Sequence, residues 1–161
     1  MNENNIISTD SVAPINILLA DDDFDDRYFF ERVLKKLPIR TALSTVDNGE
    51  KLMIYLSENA ENLPDVLFLD LNMPRKNGAE CLSAIKENEK LKHLPVIIYS
   101  THMREKDEAI LYRKGAHYYI QKTDIIKLAK ILYRILNLLV ENKFARPPED
   151  KFFFSYRSRS G

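Results

Sequence analysis

The sequence predicts an α/β fold built on a doubly wound, five-stranded parallel sheet. Two observations carry the prediction. Five short runs, INILLA (15–20), IRTALSTV (39–46), DVLFLD (65–70), PVIIYS (95–100) and HYYIQ (117–121), alternate with five segments of helical periodicity. The apolar runs are continuous rather than strictly alternating, as expected of parallel strands covered by helices on both faces.

The elements follow in order. Residues 1–13 are polar, end at Pro14 and read as a flexible N-terminal arm. INILLA is a buried strand. After it, Phe29, Phe30, Val33, Leu34 and Leu37 recur at helical spacing until Pro38 stops them. Residues 39–46 are β-branched and partly alternating, which predicts a second strand. A helix over 47–59 opens on a capping aspartate, Asp47. DVLFLD is the third strand, bounded by Pro64 and Pro74, and a helix over 77–91 follows. PVIIYS is the fourth strand. The next helix, 103–114, ends at Gly115, a residue suited to the left-handed position after a helix. HYYIQ is the fifth strand, 124–141 a long helix, and the remainder a tail.

Bulk properties exclude several classes. The 161 residues suffice for one domain with a full core. Lysine plus arginine equals aspartate plus glutamate at 24 each, so no global field draws the chain to nucleic acid or anionic membrane. The single cysteine, Cys81, excludes an internal disulfide and reads as core filler. The three histidines, His93, His102 and His117, form no zinc pattern and are expected at the surface or at strand edges. No signal peptide is evident at the start. Lys127, Lys130 and Arg134 interrupt the longest apolar segment, so no membrane span is expected. A cytoplasmic setting is the expectation.

In a doubly wound sheet the ligand crevice lies outside the carboxyl ends of the strands. The first strand ends in Asp21 and Asp22, the third in Asp70 and the fourth in Ser100; Lys122 follows the fifth. Carboxylates ~5 Å apart at an effective dielectric of ~20 repel by about 3 kcal/mol per pair. A hard cation such as Mg²⁺, which takes oxygen ligands, would offset that, with the Asn72 backbone carbonyl as a further oxygen. A carboxylate such as Asp70 can then attack a phosphoryl group as nucleophile. Lys122 would neutralise charge on the transferring oxygens, and Ser100 would donate a hydrogen bond to the new phosphoryl group. Of the five aspartates in ADDDFDD, Asp21 and Asp22 are assigned to chemistry. Asp23 fits a helix N-cap, and Asp25 and Asp26 a first turn favoured by the helix dipole.

The segments ILLADDD, PDVLFLDLNMPRKNG, PVIIYST and GAHYYIQK together resemble the receiver domains of two-component response regulators, over about Ile15 to Val140. The resemblance implies a flavodoxin-like (βα)5 fold with strand order 2-1-3-4-5. It also implies phosphoryl transfer from a sensor histidine kinase or phosphotransfer protein to Asp70, with Mg²⁺ required. Asp21 and Asp22 match the acidic pair, Ser100 the hydroxyl switch residue, Tyr119 the aromatic switch residue and Lys122 the family's lysine. Asn72 and His102 take the positions that tune loss of the phosphoryl group. One departure is Thr123, where the family usually has a proline after the lysine, commonly with a cis bond.

On this reading residues 14–142 are the receiver domain and 143–161 a tail. Some twenty residues after the last helix are too few for a DNA-binding output module. A stand-alone receiver of the chemotaxis and phytochrome-regulator kind is therefore expected, signalling through altered protein contacts. It would be a phosphoacceptor rather than an enzyme, catalysing only its own phosphorylation and dephosphorylation. Two alternatives stand beside it. A haloacid dehalogenase-like phosphatase would need an acidic residue two positions after Asp70, where Asn72 stands. A degenerate receiver, acting as a constitutive interaction module, would not need the set Asp21, Asp22, Asp70, Ser100 and Lys122.

The last helix is unusually apolar. Its polar residues Lys127, Lys130, Arg134, Asn137 and Glu141 form one narrow stripe. A surface helix needs a smaller apolar face than this leaves. The excess is expected to be covered by a second subunit, as a homodimer through this helix, or by the FFFSY segment folding back; a helix set deep in its own core is the alternative.

Overall fold

In the computed structural model, which describes residues 13–155, five parallel strands stand in the order β2-β1-β3-β4-β5. They are β1 (Ile15–Ala20), β2 (Thr41–Val46), β3 (Val66–Leu69), β4 (Val96–Ser100) and β5 (Tyr118–Gln121). The helices are α1 (Phe24–Lys35), α2 (Gly49–Glu58), α3 (Gly78–Glu87), α4 (Glu105–Arg113) and α5 (Ile125–Val140), followed by a 3-10 turn at Glu149–Lys151. The predicted fold class and strand order are those observed. The expected N-terminal arm, apart from Ala13, and the closing RSRSG fall outside the described residues. No helix among those described is long and apolar enough to cross a membrane.

Successive residues of the central strands feed two separate cores, which is why their sequences are apolar throughout. Leu18, Ala20, Leu67, Leu69, Val96 and Ile98 pack beneath α2, α3 and α4, with Cys81 buried among them. Ile17, Leu19, Val66, Phe68, Ile97 and Tyr99 pack beneath α1 and α5. There Phe30 meets Phe68 edge-on at 5.0 Å. β2 is an edge strand with no buried residue, which accounts for its weaker pattern.

The ends of the helices follow local chemistry, with two corrections. Asp23 caps α1 as expected, accepting the Asp26 N–H at 3.1 Å. α2 is capped by Asn48, not Asp47: the Asn48 side chain accepts the Lys51 N–H at 2.8 Å, and Asp47 pairs with the Lys51 ammonium instead. α3 opens on a reciprocal capping box between Asn77 and Glu80. It ends at Glu87, short of the expected residue 91, because the Asn88 side chain accepts the N–H groups of Lys90 and Leu91 and turns the chain. α4 ends as predicted. Gly115, at φ +106°, lets its own N–H reach the Tyr112 carbonyl and the Ala116 N–H reach that of Leu111.

The apolar excess on α5 is covered in part by its own chain. Phe152 and Phe154 are buried, on opposite cores. Phe152 packs edge-on against Tyr112 of α4, and Phe154 against Tyr118 of β5 and beneath Arg134 of α5. The Tyr119 N–H donates to the Phe152 carbonyl at 2.9 Å and the Phe154 N–H to the Tyr119 carbonyl at 2.8 Å. The tail thus lies parallel along β5, the otherwise open edge of the sheet. Arg146 anchors it, stacked over the Tyr112 ring and donating to the carbonyls of Tyr112 and Ala116. Ile126 and Val140 of α5 stay exposed.

Candidate phosphoacceptor site

The strand order places β1 beside β3, and the crevice opens at their carboxyl ends. Ala20 pairs in register with Leu69, so the next residues, Asp21 and Asp70, emerge side by side, and the Asp70 N–H donates to the Ala20 carbonyl at 2.9 Å. Ser100 ends β4, next to β3, and Lys122 follows β5, next to β4. Residues separated widely in sequence thereby meet in one place.

Asp21 is fully buried, Asp70 and Ser100 nearly so, and Asp22 exposed. Asp70 Oδ1 accepts from Ser100 Oγ at 3.3 Å and from the Asn72 N–H at 3.4 Å. Asp70 Oδ2 accepts from Lys122 Nζ at 3.2 Å. Lys122 Nζ also lies 2.8 Å from Asp21 Oδ2 and 2.9 Å from Asp26 Oδ2. The lysine sits over the face of the buried Tyr99 ring, 5.5 Å from its centre. Its backbone N–H donates to the Ser100 carbonyl at 2.8 Å, and no described peptide bond is cis. With Thr123 in the place of proline, the lysine still reaches the carboxylates.

The electrostatics are those of an acidic crevice with too little compensation. Burial pushes the Asp21 carboxyl up to about 6, against the lowering effect of Lys122 and of the Asp23 N–H. Burial also opposes the charge on Lys122. The close carboxylates of Asp21 and Asp26 and the field of Asp70 outweigh it and hold the ammonium above its ordinary range.

The residues present fit a divalent cation. One oxygen each from Asp21, Asp22 and Asp70 lies within 4.8 Å of the others. Asp21 Oδ2, though buried and close to Lys122, is off the directions a hydrogen bond needs and has no aligned donor. A buried carboxylate oxygen left this way is costly unless something else coordinates it. An all-oxygen donor set of this kind suits Mg²⁺ or Mn²⁺.

The other predicted residues lie at the margin. Asn72 and His102 are exposed and border, with Ser100, one open groove of about 280 Å³. Tyr119 is buried, and its hydroxyl donates to the Thr101 carbonyl at 2.9 Å, one residue beyond Ser100. Two residues were missed. Asp26, assigned to helix architecture alone, also binds Lys122. Arg27 donates to the Asp21 carbonyl at 2.8 Å. The signal available for Asp26 was its place three residues after the cap of a helix that starts at the crevice.

Residues 17–133 match the response regulator receiver domain family. Response regulator Rcp1 of Synechocystis sp. is 33% identical over 125 residues, covering 75% of this chain and 85% of that protein. The phosphorylated cyanobacterial phytochrome response regulator RcpA superimposes with a TM-score of 0.72 at 31% identity, over 81% of this chain and 96% of that one. The Mn²⁺-bound form of Rcp1 superimposes with a TM-score of 0.71 at 31% identity, over 83% and 99%. Fold, site and sequence agree, and the chain belongs to the response regulator receiver domain family.

Proposed function

We propose that this receiver accepts a phosphoryl group on Asp70 from a sensor histidine kinase or phosphotransfer protein, and signals through altered protein contacts. The observation that carries the reading is the Asp70 carboxylate itself, held between Ser100 Oγ and Lys122 Nζ at the edge of an acidic cluster. Asp70 attacks phosphorus as the N–P bond of the donor phosphohistidine breaks, leaving imidazole and an acyl phosphate. Asp21, Asp22, Asp70 and the Asn72 carbonyl would hold Mg²⁺, which supplies charge neutralisation for the transferring oxygens. Lys122 and Ser100 donate to the same oxygens. Exposed Phe24, Tyr28, Ile125 and Ile126, on the early turns of α1 and α5, provide apolar surface beside the crevice for a protein phosphodonor.

The phosphoryl group adds about −1.5 to −2 charges at neutral pH. Ser100 would follow it, and Tyr119, bonded to the adjacent Thr101, would pass the shift to β5 and the tail. Asn72 and His102 at the rim tune access of water to the acyl phosphate. The phosphatase alternative is disfavoured because Asn72 has an amide where that chemistry needs a general acid.

The test is incubation with Mg²⁺ and acetyl phosphate, read by intact mass. Wild type should gain one phosphoryl group and Asp70→Asn none. An unmodified wild type would refute the reading in favour of a constitutive interaction module; sustained phosphoester turnover would favour the phosphatase.

A further inference from the structure

An ammonium carries three N–H donors, and Lys122 Nζ meets three carboxylates, those of Asp21, Asp26 and Asp70, at 2.8, 2.9 and 3.2 Å. Asp21 and Asp70 belong as well to the oxygen cluster suited to a divalent cation, whereas Asp26 stands outside it. A cation in that cluster draws on the same two carboxylates and repels the ammonium at short range. Asp26 is the one partner of the three left wholly to Lys122.

We infer that Asp26 is a positioning residue, holding the Lys122 ammonium beside Asp70 while a divalent cation occupies the Asp21–Asp22–Asp70 cluster. Its backbone suits the task. Asp26 sits in the first turn of α1, and its own N–H is tied to the Asp23 cap, so its half-buried carboxylate projects from a fixed point. Lys122 lies 96 residues away in sequence. Asp25 supplies an internal control: it shares the same helical turn and dipole but is exposed and is not one of the three carboxylates that meet Lys122. The assignment rests on the phosphoacceptor reading above, and the experiment separates the two.

The full chain is compared as wild type, Asp25→Asn and Asp26→Asn. Mg²⁺ affinity is measured by calorimetry without any phosphodonor. The Lys122 ammonium is followed by NMR in ¹⁵N-lysine-labelled protein, assigned by its absence in Lys122→Met. Phosphorylation by acetyl phosphate is then timed at saturating Mg²⁺. Asp26→Asn should weaken Mg²⁺ binding by about tenfold, within the usual range of coupling between sites. Its Lys122 ammonium signal should vanish into solvent exchange when Mg²⁺ is added, and its phosphorylation should slow even at saturation. Asp25→Asn should match wild type in all three. Equal effects of the two substitutions would reduce Asp26 to a helix-start residue and overturn the inference. So would an Asp26→Asn protein that keeps wild-type affinity and lysine signal, and in either case wild-type phosphorylation would leave the phosphoacceptor reading standing. A wild type that neither binds Mg²⁺ nor is phosphorylated would fail both.

Discussion

Gly78→Ala should damage stability and Asp70 together, because of where the new methyl group would go. Gly78 is buried at the start of α3, and its N–H donates to the Leu71 carbonyl at 2.9 Å. A Cβ built there lies 2.8 Å from Leu71 Cα and closer still to the Asp70 carbonyl oxygen, whereas ordinary contact begins at 3.4 Å. The obstructing atoms are backbone and cannot rotate aside, so the strand end and helix start must part by well over half an ångström. Overpacking of this kind costs about 1–3 kcal/mol, and a backbone obstruction puts Gly78→Ala at the upper end. The same displacement moves the phosphoacceptor, and a misplacement of ~1 Å can cost about a hundredfold in rate. Urea unfolding by circular dichroism and acetyl phosphate labelling by intact mass measure the two effects. Gly115→Ala is the contrast. Its φ of +106° strains an alanine, but the atoms nearest the added methyl belong to the Lys86 side chain, at 3.0 Å and beyond, rather than to backbone. It should cost about 1–2 kcal/mol in stability and leave labelling unchanged. If Gly78→Ala keeps its stability within about 0.5 kcal/mol of wild type and labels at the wild-type rate, the close-approach argument is wrong.

Two further outcomes follow from the other end of the sheet. His117, stacked on Phe144, is held down to about 4, first by burial and then by Lys86 and Arg146. Its folded value lies below the unfolded 6.5, so this contribution is fully present above pH 6.5 and is lost as pH falls toward 4. At pH 5 the loss should be on the order of 2 kcal/mol; His117→Gln should show a correspondingly shallower fall between about pH 7 and 5 in urea midpoints, and parallel curves would refute the assignment. Phe152→Ala should free the tail locally rather than unfold the domain, because Phe152 ties the tail to β5 and α4 at the edge of the sheet. Hydrogen exchange should then show the Tyr119 and Phe154 amides losing protection while those of β1 and β3 keep it; unchanged protection at Tyr119 would mean that the Phe152 ring does not hold the tail.

Much of this protein was determined by local sequence. The continuous runs at 17–20, 66–69 and 96–99 read as strands buried on both faces, and in the fold their alternate residues serve two cores. Asp21, Asp70, Ser100 and Lys122 were legible because parallel strands deliver their carboxyl ends to one crevice whatever the details of packing. Gly115 and Asp23 were legible because caps are settled within one turn. Where two caps competed, as at Asp47 and Asn48, or where a side chain turned the backbone, as at Asn88, propensity alone did not choose. What only the tertiary structure decided were pairings between distant segments. The tail along β5 needed an edge strand with free backbone groups and two pockets for Phe152 and Phe154, none visible in the order of residues. Asp26 was counted as helix architecture because its neighbours in sequence justify that role. Its partner, Lys122, is brought to it by four crossovers of the chain, and only folding puts the two charges 2.9 Å apart.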